Sequence, residues 1–262
     1  MTDLATTVGS LEQCYDAIEA LCDRMDAEQW QAQSLCPEWK ARDVVQHLAT
    51  MERVMTGWLP SGTEELPHFD RVAAVDEQMK ELGDAALSGL VEQIFAARRS
   101  ELAALTAADL DRPSWTPVGV KTYGRFLEIR VFDFWVHERD ITTPLGWPTD
   151  DTGVRAEIAL GEVEGSLGYI VGKRIGLPAG SSIVFHLTGP ILRDISVAVD
   201  GRAKVVDHVD NPDVEVTTDS LTFVQLACGR IDPQEQIRAG LISWTGNDEL
   251  GDRAARNLRF TM

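Results

Sequence analysis

Residues 130–140 read RVFDFWVHERD. The stretch reads as helix, with Asp133 and His137 four apart and so on one face, one turn from each other. At 100° per residue, Asp133 falls about 40° from His137, Arg130 about 20°, and Glu128 about 180°. Phe132, Phe134, Trp135 and Val136 make the segment apolar, and an aspartate there must be paired, hydrogen-bonded, metal-bound or turned outward. A second helical stretch, VVQHLATMERVM at 44–55, carries His47 on its own apolar run. Two imidazoles and one carboxylate from two helices make a three-ligand site for a divalent metal, with coordination left open for a substrate or water.

Each ligand also has a plainer reading. An isolated buried histidine is more often simply hydrogen-bonded, His47 by Asp43 one turn earlier and His137 by Asp140 three residues on. Asp43 also suits a role orienting His47 behind a metal. Arg130 is expected either to anchor an anionic substrate or to pair with Asp133.

Outward from these stretches the first two-thirds of the chain read as helices. Residues 8–25 place Leu11, Cys14, Tyr15, Ile18, Leu21, Cys22 and Met25 on one stripe. Pro37 suits a first helical turn leading into the apolar run 44–59. Residues 61–75 are loop-like, 84–106 form a third helix, a loop with Pro113, Pro117 and Gly119 follows, and 123–140 and 151–171 complete the series. The character changes near 173. KRIGLPAGSS reads as a linker, and SIVFHLTG, RDISVAVDG, RAKVVD and DVEVTTD read as strands. Residues 219–230 and 233–258 read as helix. The expected organisation is a mainly α chain: an up-and-down helical bundle over 1–172, then a smaller α+β domain over 173–262.

The chain has 262 residues, 44% of them hydrophobic, and a formal net charge of −18. That charge argues against nucleic-acid backbones and anionic membrane surfaces as partners. No apolar run approaches the roughly 20 residues of a membrane span, and the N-terminus lacks the pattern of a signal peptide. Cys14, Cys22, Cys36 and Cys228 fit neither a zinc module nor a disulfide framework, which points to free thiols in a reducing cytoplasm. Cys14, Cys22 and Cys228 read as core filling. Cys36 reads either as a buried structural thiol or as one activated at a helix start. Trp39, Trp58 and Trp135 read as core. His68 reads as a solvated loop residue, and nothing nearby converges on His186 or His208.

Two segments carry a family pattern. LCPEWKARDVVQHLATME (35–52) and RVFDFWVHERDITTPLG (130–146) resemble the mycothiol-dependent maleylpyruvate isomerase family of DinB-like four-helix bundles. The matching motifs are Cys36-Pro37-Glu38-Trp39, the run from Asp43 to Ala49, and Asp133 to Ile141. The resemblance implies that His47 and His137 are metal ligands, and places Asp133 where the family usually has a glutamate. Residues 221–258 resemble the end of sterol carrier protein-like domains. The isomerase resemblance carries onto Arg230 an arginine of the tail domain that faces the metal site, and it implies zinc, or another divalent transition metal, with mycothiol as thiol cosubstrate. The activity would be isomerisation of a small electrophile or S-transfer to it. The alternative is an apolar-ligand or lipid carrier, or a scaffold, with a vestigial metal site.

Overall fold

In the computed structural model, which describes residues 2–62 and 65–260, the chain divides into two compact units, 1–149 and 150–262.

The first unit is built on four long helices: α1 (Leu4–Arg24), α3 (Ala41–Met55), α5 (Asp84–Ala103) and α7 (Tyr123–Thr142). Shorter helices lie between them: α2 (Ala27–Trp30), α4 (Val72–Lys80) and α6 (Ala107–Leu110). The long helices close a four-membered ring, α1 and α3 each packing on both α5 and α7. Local chemistry explains where they start. The Asp3 carboxylate accepts from Thr6 N at 2.8 Å at the head of α1, and the Thr122 hydroxyl caps α7 through Arg125 N, each satisfying an orphan amide of the first turn. Leu11, Cys14, Tyr15 and Ile18 of α1 are almost fully buried at the helical spacing that the sequence shows. A two-stranded ribbon, β1 (Pro113–Ser114) with β2 (Lys121–Thr122), leads into α7.

The second unit begins with α8 (Gly153–Tyr169), which runs on through a π-helical turn, Ile170–Ile175. Five strands follow: β3 (Ser182–Thr188), β4 (Arg193–Asp200), β5 (Arg202–Val206), β6 (Val214–Asp219) and β7 (Ile242–Gly246). Their spatial order is β5-β4-β3-β6-β7, with β3 and β6 parallel and the other pairs antiparallel. Helices α9 (Ser220–Ala227) and α11 (Asp248–Asn257) pack on the sheet together with α8, while α10 (Pro233–Arg238) precedes β7. Ile183, Phe185, Val197, Val214 and Val216 are fully buried beneath these helices, and Phe185 meets Phe223 of α9 edge-on at 5.4 Å.

The structure departs from the sequence reading at several places. The helix expected at 151–171 belongs with the sheet, because α8 packs against β4 and β5. Gly168 and Gly172 permit that approach: a Cβ at Gly168 would lie 3.0 Å from Ala203 O. Residues 233–258 are not continuous helix, because ISWTG forms the edge strand β7 on β6. The segment 61–75 is partly helical from Phe69 onward, and its residues 63 and 64 lie outside those described. Pro37 does not open a helix: α3 starts only at Ala41, after a tight loop whose ends pair Gln33 with Lys40. All four cysteines are buried and outside any disulfide, and among the described residues no helix is long and apolar enough to cross a membrane.

Candidate functional site

Helices α3 and α7 bring His47, Asp133 and His137 together, with one ligand atom from each lying within 4.8 Å of the others. Asp133 Oδ2 is 3.8 Å from His47 Nε2 and Oδ1 is 3.6 Å from His137 Nε2. The two imidazoles meet edge to face with centroids 5.0 Å apart. Donor atoms around a tetrahedral ion with bonds of about 2.0–2.1 Å lie roughly 3.4 Å from each other. The observed spacings are close to that, so the donor set fits a divalent ion even though the carboxylate is an aspartate. His137 is 8% exposed, whereas His47 and Asp133 are 30% and 27% exposed; the site has one sealed side and one accessible side.

Behind these three residues lies a chain of buried charges. Arg130 Nη1 donates to Asp133 Oδ2 at 2.6 Å, and its Nε to Glu52 Oε1 at 3.1 Å. Glu52 Oε2 accepts from Arg98 Nε at 2.9 Å and from the Tyr15 hydroxyl at 2.8 Å. Arg98 reaches on to Glu101. Glu52, Arg98 and Arg130 are all buried, so each charge depends on the others in place of water. Burial pushes the Glu52 carboxyl up, but Arg130, Arg98 and the Tyr15 hydroxyl outweigh it and hold it below its ordinary value. Burial likewise raises Asp133, and Arg130 with the two histidines more than reverses that, leaving it well below the usual carboxylate range. The site therefore presents an ionised carboxylate.

His137 is oriented from its other side. Nδ1 lies 2.8 Å from Asp140 Oδ2. A carboxylate only accepts, so Nδ1 carries a proton, and Nε2 is the ring nitrogen that faces Asp133. Asp140 is fully buried and also accepts from the Cys36 thiol at 3.2 Å. Trp39 packs on both imidazoles, 5.0 Å from His47 and 5.9 Å from His137.

Other expected residues sit differently. Asp43 accepts from Lys40 N at 2.9 Å at the start of α3, which makes it a helix cap rather than the partner of His47. Cys36 lies in a loop five residues before the start of that helix, without a helix start of its own to activate it. Arg130 directs its donors to Glu52 and Asp133, an arrangement that suits holding a ligand in place better than gripping a substrate. Glu128 turns away, accepting from Thr2 N at 3.0 Å. Arg230, in the second unit, follows the C-terminus of α9. Its amide bonds to Gln225 O and that of Gly229 to Leu226 O, with Gly229 at φ +67°, a Schellman closure.

Sequence reasoning missed Glu52 and Trp39. Glu52 follows Leu48 by four and precedes Met55 by three, and both of those are fully buried. A glutamate on that stripe had to find a cation. Trp39 read as core, and although it closes the Cys36-Pro37-Glu38-Trp39 motif, only the loop's fold leaves it half-buried against the histidines.

A family model described as the mycothiol maleylpyruvate isomerase N-terminal domain matches residues 11–142, and one for the C-terminal domain of the same family matches 157–253. A crystal structure of a histidine-to-alanine mutant of the mycothiol-dependent maleylpyruvate isomerase aligns over 99% of this chain and 100% of that chain, with a TM-score of 0.64 and 18% identity. A second crystal structure of that isomerase aligns over 88% of this chain and 93% of that one, with a TM-score of 0.58 and 18% identity. No curated protein matches the chain.

Proposed function

The chain belongs to the mycothiol maleylpyruvate isomerase family, and from that premise we propose that it is a metal-dependent enzyme using mycothiol to isomerise a small electrophile such as maleylpyruvate. The observation that carries the reading is the convergence of His47, Asp133 and His137 from two helices. These three residues would hold the ion, with zinc the best match to two imidazoles and a carboxylate. A dication bound there lowers the pKa of an incoming thiol, making it nucleophilic near neutral pH.

The chain's own residues do the rest. Asp140 keeps the His137 proton on Nδ1, and Arg130 holds the Asp133 carboxylate ionised and aimed. The thiol sulfur adds to the activated double bond of the substrate, the resulting single bond rotates, and elimination returns the thiol and the isomerised alkene. Arg230 is the proposed partner of a substrate carboxylate, carried by family resemblance alone. S-transfer, in which the adduct is released without elimination, is the rival outcome at the same site.

Both are tested by purifying the protein without chelator or polyhistidine tag, measuring metal per chain, and assaying maleylpyruvate loss with mycothiol. Turnover with catalytic amounts of mycothiol supports isomerisation, and stoichiometric thiol consumption supports transfer. A protein that takes up neither zinc, nickel nor cobalt, or that is loaded yet inert with mycothiol, overturns the proposal.

A further inference from the structure

We propose that Cys36 is a positioning residue of this site: its thiol holds Asp140, and through Asp140 the ring of His137, in the orientation that turns Nε2 toward Asp133 and His47. The inference deepens the metal-site reading above and rests on it.

Asp140 has no access to water, so its carboxylate oxygens depend on protein donors. Oδ2 accepts from two of them, His137 Nδ1 at 2.8 Å and Cys36 Sγ at 3.2 Å. The two donors fix the carboxylate from opposite chain segments, one on α7 and one in the loop before α3. That loop is itself rigidly tied. Ser34 Oγ accepts from Cys36 N at 3.0 Å and donates to Trp39 O at 2.7 Å. Gln33 Nε2 donates to Cys36 O at 2.7 Å. Leu35 N donates to the backbone oxygen of Asp140 at 2.9 Å, so the residue that the thiol grips is also anchored through its main chain. The same loop sets Trp39 against both imidazoles. The sulfur thus sits two hydrogen bonds from the ligating nitrogen, in a segment with little freedom to drift.

Cys36, His137 and Asp140 also form a second cluster of possible ligand atoms. Using it as a metal site would require Nδ1 to surrender its proton while Nε2 serves the first site. A donor role for the thiol needs no such step. The two roles differ in a measurable way, because only a ligating sulfur gives a sulfur-to-metal charge-transfer band with cobalt.

The test uses the full chain and the variants Cys36→Ser, Cys36→Ala and Cys36→Val. Serine keeps a donor, alanine removes it, and valine fills the volume of the sulfur without one should alanine fold poorly. Two readouts are taken: zinc affinity by competition with a chelating indicator, and the ring nitrogen spectrum of His137 in the metal-free protein. Removing a direct partner of a ligating histidine typically weakens binding about 10–100-fold, and Cys36 acts one bond further out. Alanine and valine are therefore expected to weaken zinc by about three- to tenfold and to shift or expose the His137 Nδ1–H signal, with serine close to the parent in both.

Unchanged zinc affinity and an unchanged ring signal in Cys36→Ala overturn the inference. So does a cobalt charge-transfer band in the parent that Cys36→Ala abolishes, since Cys36 would then be a ligand. A parent that binds no metal sinks the metal reading instead. In that case the ring signal alone decides whether Cys36 holds Asp140 and His137.

Discussion

Arg130 Nη1 donates to Asp133 Oδ2 across 2.6 Å, three residues apart on one helix. The contact leaves Oδ1 on the His137 side, 3.6 Å from Nε2, and Glu52 anchors the guanidinium from behind. One carboxylate thus serves two masters, a fixed cation and the open face between the histidines. Replacing Arg130 by Gln is expected to weaken zinc by about tenfold, in the range typical of residues that orient a ligand. Arg130→Lys restores charge but not the fork that spans both acids, so it should recover only part of the loss. Zinc competition on the three proteins checks both statements.

Glu52 is the hub of the buried charges. Removing its carboxylate as Glu52→Ala leaves two buried guanidinium groups with only Glu101 and Asp133 to balance them, and breaking a buried ion pair in this way typically costs about 3–5 kcal/mol. Arg99 bridges Asp16 and Glu19 at the surface, and Arg99→Ala should cost only about 1 kcal/mol. Urea unfolding monitored by circular dichroism separates the two. Similar midpoints for both variants would contradict the hub.

The pH response has a definite sign. Glu52 and Asp133 both have folded-state values below their ordinary 4.5 and 3.8. A depressed carboxyl contributes stability that is present above its unfolded value and lost as pH falls through the folded one. Stability should therefore be steady above about pH 5 and fall progressively below about pH 4.5. Thermal midpoints measured from pH 7 downward test this, and Glu52→Gln should start lower and fall less steeply.

Trp39 offers an optical reading of the site. Its indole lies against both imidazoles, so loading zinc onto them should change its emission. The change should vanish in Trp39→Phe while zinc binding persists. A zinc-dependent change that survives in Trp39→Phe would place the reporter elsewhere.

In the second unit, α11 approaches β7 closely enough that a Cβ at Gly251 would lie 2.1 Å from Trp244 Cδ1. Gly251→Ala forces the ring or the helix aside and should cost about 1–3 kcal/mol. A thermal midpoint equal to that of the parent would show that the contact relaxes freely.

How much of this was legible beforehand differs from residue to residue. The 3.6-residue period put Asp133 and His137 on one face and Glu128 opposite, and the structure keeps that sorting, because backbone geometry alone sets angular position on a helix. Asp140 as the partner of His137 followed from the same spacing. The edge strand β7 was missed because five residues flanked by helix signals carry too little pattern, and only pairing with β6 makes them a strand. Asp43 was misread because a first-turn carboxylate has two nearby options, the start of its own helix and the next turn, and the exposed amide of Lys40 took it.

The sequence by itself determined the helical bundle, the α+β tail and the three residue types able to hold a metal, since periodicity and composition act through local geometry. Tertiary structure alone decided that His47 meets Asp133 and His137, that Arg130 and Glu52 neutralise each other behind them, and that a loop thiol reaches Asp140. Those contacts join residues 78 to 104 positions apart, and only tertiary packing brings such distant side chains together.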